Sequence, residues 1–155
     1  MTKTDIARVA EISSRPEVSR WWQTWEREHA EGKLADDDLA CWVVELDGNV
    51  IGFVQAYEES DPEYRHAGLD LFLDPVFHGR GLGQDVVRAV ARYLLETRGH
   101  HRLVIDPAAA NTRAIRCYEA VGFRRVGVTR SSWWDHVEKR WADGVLLDLL
   151  SADLR

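Results

Sequence analysis

The stretch HAGLDLFLDPVFHGRGLGQDVVRAVARYLL, His66 to Leu95, changes its periodicity halfway. In its first part Leu69, Leu71 and Leu73 alternate with Asp70 and Phe72, the period of a strand, and Pro75 ends the run. In its last part Val86, Val87, Val90, Ala91, Leu94 and Leu95 recur at helical spacing. Between them lies HGRGLG, whose Gly79, Gly81 and Gly83 permit positive φ and leave backbone amides uncovered. A strand that turns through glycines into a helix gathers N–H groups and the positive end of a helix dipole at one spot, which suits a phosphate or pyrophosphate. Arg80 adds a cation there. The spacing is neither the dinucleotide G-x-G-x-x-G nor the P-loop pattern. A tight turn that needs glycine for steric reasons alone is the competing reading.

Outward from this stretch the elements alternate. His101 to Ile105 reads as a short strand, and Asn111 to Ala120 as a helix closed by Gly122. Phe123 to Val128 and Gly144 to Leu150 read as the last strands, separated by a tryptophan-rich connection. On the other side, Thr4-Asp5 opens a helix carrying Ile6, Val9, Ala10 and Ile12, and Pro16 stops or restarts it. Val18, Trp21, Trp22 and Trp25 mark a second helix with an aromatic face. Leu39 to Leu46 and Val50 to Tyr57 form an antiparallel hairpin about Asp47-Gly48-Asn49, and the acidic EESDPEY, Glu58 to Tyr64, forms a loop. Strands alternating with helices require at least one βαβ crossover and a mixed sheet, an α/β (α+β) domain.

The chain has 155 residues and suits a single domain spanning residues 1–155. Its composition is that of a globular chain, and no apolar run is long enough for a membrane span. The start MTKTDIARVAEISS lacks the apolar segment of a secretory signal. Cys41 and Cys117 are too few for a disulfide framework and lack metal-ligand spacing, so the expectations are a reduced cytoplasmic setting and no metal. A formal net charge of −6 argues against a general nucleic-acid binder and fits a cationic ligand.

A second constellation accompanies the glycine turn. In NTRAIRCYEAVGF, Asn111 to Phe123, a capping-type Asn111 shares one helical face with Ala114 and Tyr118, leaving room for a thin polar ligand beside the helix. Tyr118 packed in a core with its hydroxyl at the edge is the plainer reading. Taken together, LFLDPVFHGRGLG and NTRAIRCYEAVGF resemble the cofactor motifs of the GNAT superfamily of N-acetyltransferases. That resemblance implies a mixed, mostly antiparallel twisted sheet flanked by helices on both faces, here without the usual opening strand. Within the superfamily the chain looks like the aminoglycoside 6′-N-acetyltransferases, through Trp21-Trp22, IGFVQAY (Ile51 to Tyr57), Gly68-Leu69-Asp70 and IDPAAANTRAIRCYEAVGF from Ile105. The departures are His78, where the superfamily often has glutamine or arginine, and SSWWDHVEKRW, Ser131 to Trp141.

The resemblance implies roles for named residues. Backbone amides of Arg80, Gly81, Leu82, Gly83 and Gln84 would hold the pyrophosphate of acetyl-CoA, the co-substrate. Backbone groups of Leu71 and Leu73 would pair with its pantetheine arm, which Asn111 would also contact, and Tyr118 would protonate the departing thiolate. The amine must lose a proton before it attacks, and Asp70, standing apart from the apolar Leu69, Leu71 and Leu73, is the candidate acceptor. An aspartate on the solvated face of an edge strand is the alternative. Cys117 next to Tyr118 would be the nucleophile of a rival acyl-enzyme route, but adjacent helix residues point about 100° apart. For a polycationic sugar, Trp22 and Tyr57 would offer ring faces, and Asp70, Asp106 and Asp135 would accept its ammonium groups. Asp36, Asp37, Asp38, Glu58, Glu59, Asp61 and Glu63 are further acidic candidates, each ordinarily a solvated charge.

The expected activity is acetyl transfer from acetyl-CoA to a primary amine of a small cationic acceptor, first the 6′-amine of an aminoglycoside. Another amine (polyamine, amino acid or siderophore precursor) is the alternative, and a non-catalytic acyl-CoA sensor would need neither Asp70 nor Tyr118. Trp133, Trp134 and Trp141 are open to three readings: a substrate lid, a homodimer contact, or a cover over the core.

Overall fold

A computed structural model describes every residue except Asp37, so that member of the acidic run lies outside the described residues. The chain divides into two compact bodies, residues Met1–Tyr57 with Asp70–Arg80, and Glu58–Leu69 with Gly81–Arg155. One sheet of six strands has the order β1-β2-β3-β4-β6-β5. Its strands are β1 (Leu39–Leu46), β2 (Asn49–Glu59), β3 (His66–Leu73), β4 (Arg102–Ile105), β5 (Arg124–Asp135) and β6 (Arg140–Leu150). Helices α1 (Ile6–Ser13), α2 (Pro16–Ser19), α3 (Arg27–Leu34), α4 (Leu82–Arg92) and α5 (Thr112–Val121) accompany it. Among the described residues no strand precedes α1. No helix among them is long and apolar enough to cross a membrane.

In the first body the hairpin β1–β2 turns at Asp47 and Gly48, both with positive φ (51° and 76°), and Leu46 pairs with Asn49. Two successive positive-φ residues make a type I′ turn, whose twist matches that of the flanking strands. Ile6, Val9 and Ile12 on one face of α1 join Val18, Trp25, Ala30, Phe53 and Phe72 in a buried cluster. The aromatic face expected on a second helix is placed differently. Pro16 starts only the single turn α2, and Trp25 enters the core from the segment beyond it. α3 escapes sequence reading because REHAEGKL is polar on nearly every side and shows no apolar period; Ala30 anchors it.

The exit of β3 is held by a buried carboxylate. Asp74 accepts from Arg8 at 2.6 Å and Arg15 at 2.8 Å, both reaching over from the N-terminal segment, and its Oδ1 also receives the Val76 amide. Its own N–H donates to the Ile51 carbonyl. Both arginines are about a third exposed, 33% and 31%, so water shares their charge. Asp74→Ala should therefore lower stability by about 2 kcal/mol, less than a fully buried pair would lose. That corresponds to a Tm drop of about 4–8 °C in a thermal melt.

In the second body β3 and β4 are parallel at Ala67↔Leu103 and Gly68↔Val104, and α4 supplies the crossover between them. β4 and β5 each pair antiparallel with β6. Val87 and Ala91 of α4, Ile115 and Val121 of α5, and Leu103, Leu147 and Leu149 of the sheet are buried, each large side chain stabilising by about 1.5–3 kcal/mol. α5 ends on Gly122 with φ +121°, where an added Cβ would run into the carbonyl of Asp153. The tryptophan-rich connection is itself strand. Trp133↔Ala142, Trp134↔Trp141 and Asp135↔Arg140 continue the β5–β6 ladder beyond an irregularity at Thr129/Trp133, where Ser131 takes a φ of 50°. The sequence hides this extension because a bulge breaks the alternation.

Candidate active site

The glycine turn follows from the end of β3. Asp74 caps the short 3₁₀ turn Pro75–Phe77, and His78 Nε2 lies 3.0 Å from the Leu73 carbonyl oxygen, tying the turn back to the strand. An imidazole nitrogen facing a carbonyl must carry the proton, so His78 is the donor. His78 thus takes one of the two acceptor sites of the Leu73 carbonyl, a backbone group expected to meet a pantetheine arm. Gly79 and Gly81 adopt φ of 75° and 81° with open space where a Cβ would stand, so conformation, not crowding, demands glycine there. Gly83 does not share this need, lying in the first turn of α4. Arg80 lies over the Phe77 ring, 5.4 Å from its centroid.

Gly81 caps α4 with no side-chain hydrogen bond, so no capping side chain covers the leading amides of Leu82 and Gly83. The Gln84 N–H is different: it already donates to the Gly81 carbonyl at 3.0 Å. The cradle for an anion therefore comes from the residues ahead of Gln84. An uncapped helix N-terminus after two positive-φ glycines fits a pyrophosphate, which supplies acceptors and negative charge together.

On the other helix, Asn111 caps α5 through Oδ1, which accepts from the Ala114 amide at 3.3 Å. Tyr118 is buried, its ring 6.1 Å from that of Phe123. Cys117 is half-buried, and burial pushes its thiol up to about 11, against a smaller opposing effect of Arg88. At pH 7 only about one such thiol in 10⁴ is ionised, which makes it a poor nucleophile. Cys117→Ala should leave kcat unchanged, and the thiol in the folded enzyme should resist iodoacetamide at pH 8.

Asp70 is half-buried on β3, on the face that also carries Phe72. Gln55 of β2 donates to it, Nε2 to Oδ2 at 3.1 Å. That glutamine carried no spacing signal in the sequence; only the register of β2 against β3 reveals it. Trp22 stands partly buried against the core, its ring edge-on to Phe72 at 5.1 Å, while Tyr57 is 38% exposed. Asp106, just past β4, is surface-accessible yet crowded enough that desolvation raises its carboxyl above the usual range, partly offset by its own backbone N–H.

Five of the remaining acidic candidates, Asp36, Glu58, Glu59, Asp61 and Asp135, have partners within the fold. Asp135 is buried and its Oδ1 accepts the Val137 and Glu138 amides at 2.9 Å each, building the hairpin tip. Glu58 bonds His100 at 2.6 Å and Arg98 at 3.0 Å. Burial raises its carboxyl, but these two hydrogen bonds outweigh that and leave it below the ordinary value. Asp36, Glu59 and Asp61 each accept a backbone amide two residues on. Trp134 and Trp141 pair edge-on at 5.4 Å across the hairpin and are 36% and 60% exposed, so they do not cover the core.

The model of the Acetyltransferase (GNAT) family matches residues 6–123. The chain belongs to the GNAT acetyltransferase family. Like its family, it is an acyltransferase. It is 32% identical over 148 residues to the aminoglycoside N(6′)-acetyltransferase type 1 of Klebsiella pneumoniae, with 82% of this chain and 73% of that one covered. Among solved structures, aminoglycoside acetyltransferase AAC(6′)-Ib in complex with coenzyme A and kanamycin matches at a TM-score of 0.80 and 26% identity, covering 99% and 93% of the two chains. Spermidine N-acetyltransferase from Vibrio cholerae, solved with CoA and spermine, shares the GNAT fold at a TM-score of 0.84 and 19% identity, covering 99% and 94%.

Proposed function

We propose that this GNAT enzyme moves an acetyl group from acetyl-CoA directly to a primary amine of a small cationic acceptor, the 6′-amine of an aminoglycoside first. The observation that carries this reading is the uncapped start of α4 behind Gly79 and Gly81, in a chain similar to enzymes solved with coenzyme A and aminoglycosides. The amides of Arg80, Gly81, Leu82 and Gly83 hold the pyrophosphate. Backbone groups of Leu71 and Leu73 meet the pantetheine arm as an added strand would, and the Asn111 side-chain amide contacts it through the Nδ2 donors that the helix cap does not use. Asp70 takes the proton of the incoming ammonium, directly or through a water, and the Tyr118 hydroxyl gives one to the departing sulfur. Asp106, Tyr57 and the exposed edge of Trp22 serve the acceptor. The protonated Cys117 supports transfer without an acyl-enzyme.

Residues 1–155 act as one transferase domain, working in the cytoplasm, where acetyl-CoA is made, and requiring no metal, nucleic acid or membrane. The exposed Trp134–Trp141 pair is the surface through which a homodimer would form. A thiol-release assay with acetyl-CoA tests the activity against kanamycin, a kanamycin analogue lacking the 6′-amine, spermidine and amino acids. Release with kanamycin and none with the analogue is the expected result. Release with spermidine alone would move the acceptor to polyamines, and coenzyme A binding without turnover on any amine would leave a sensor.

A further inference from the structure

We propose that Gln55 is a positioning residue for acetyl transfer, holding the Asp70 carboxylate from the neighbouring strand. This inference rests on the reading of Asp70 as the proton acceptor. Contacts within the first body define where β2 meets β3. The Asp74 N–H donates to the Ile51 carbonyl, Gly52 lies against Leu73, the Phe53 and Phe72 rings are 5.6 Å apart, and Gln55 bonds Asp70. Each step forward on β2 is a step back on β3, an antiparallel register that places Gln55 and Asp70 one pleat beyond Phe53 and Phe72. Phe53 and Phe72 belong to the buried cluster beneath α1 and α3. A glutamine on the next position of that face is a polar guest at the margin of an apolar core.

Its satisfaction is incomplete. Gln55 is 8% exposed, and while Nε2 donates to Asp70, the buried Oε1 has no hydrogen-bond partner among the described residues. The amide cannot be turned to relieve this, because Oε1 would then face a carboxylate oxygen and repel it. A buried acceptor without a donor weakens a fold, and an apolar side chain of the same shape would avoid the loss. Gln55 thus stands where stability alone favours methionine or leucine, and the one interaction it gains is with Asp70. The N–H from Gln55 fixes Oδ2 and orients the carboxylate toward the incoming amine. A donor to an ionised carboxylate favours its ionised form, the one that can accept a proton.

The test compares Gln55→Met, Gln55→Glu and Asp70→Asn with the parent enzyme, using acetyl-CoA and kanamycin as substrates. For Gln55→Met the expected result is about a tenfold fall in kcat/KM for kanamycin, an upward move of the acidic limb of its pH profile, an unchanged KM for acetyl-CoA, and an unchanged or raised Tm. Gln55→Glu keeps the shape but lacks the donor, and should move the acidic limb further. Should Gln55→Met fail to fold, this isosteric variant and a carbon-detected NMR titration of the Asp70 carboxyl in it decide the matter. A lowered Tm with an unmoved acidic limb would make Gln55 structural and overturn the proposal. Parental kcat/KM in both Gln55 variants, beside a crippled Asp70→Asn, would overturn it while leaving the role of Asp70 intact. Full activity in Asp70→Asn would remove the reading on which it rests.

Discussion

Replacing Tyr118 by phenylalanine should lower kcat about 10²-fold while the KM for acetyl-CoA stays close to that of the parent. General acids contribute about 10²–10⁴-fold, and the low end applies because a thiolate is a far better leaving group than an alkoxide or an amide anion. The substitution tests chemistry more than packing. Tyr118 is buried and its ring lies 6.1 Å from that of Phe123, an arrangement that phenylalanine preserves. Loss of the hydroxyl's hydrogen bonding should cost about 1 kcal/mol of stability, visible as a small Tm decrease. The kcat loss should shrink with an acyl donor whose thiol is more acidic, since such a sulfur needs less help. An unchanged kcat with acetyl-CoA would assign the hydroxyl to packing.

Asp70→Asn should lower kcat/KM for the acceptor about 10²–10³-fold at pH 7. An aliphatic amine with a pKa near 10 is only about 0.1% neutral at that pH, so a base must take its proton before nitrogen can attack. The exchange removes charge with little change of shape, and the new amide can present its oxygen to the Gln55 Nε2 that now donates to Oδ2. The deficit should narrow as pH rises toward 10, because the amine then deprotonates in solution. A loss that stays constant across that range would mark Asp70 as a binding residue and place the proton acceptor elsewhere.

Where local chemistry decides the backbone, the sequence was readable. Asp47-Gly48 specified the hairpin, Gly81 the entry to α4, and Asn111 with Gly122 both ends of α5, each through a conformation that few other residues adopt. Where tertiary packing decides, it was not. α3 has no apolar stripe of its own and is held by Ala30 in a cluster contributed by other elements. The outer part of the β5–β6 hairpin hid behind the Ser131 bulge. At the candidate site, the alternation of Leu69, Leu71 and Leu73 sets Asp70 apart, and the resemblance to the family's motifs singles out Tyr118. They say nothing of which acidic residues already have partners in the fold, as Asp135 has in its own turn and Glu58 in His100 and Arg98. Partnerships such as Gln55 with Asp70 depend on strand register, which a linear pattern does not record.

The junction at Gly122 leaves the far end of α5 no slack. With the Asp153 carbonyl filling the space of a side chain, even one methyl group there must shove the helix aside or prise away the final residues. The phenol of Tyr118 rides on the last turn of that same helix, one turn from the obstruction. A mutation that looks like a minor repair to a loop would therefore displace the helical turn that carries Tyr118, by leverage from a point outside that turn.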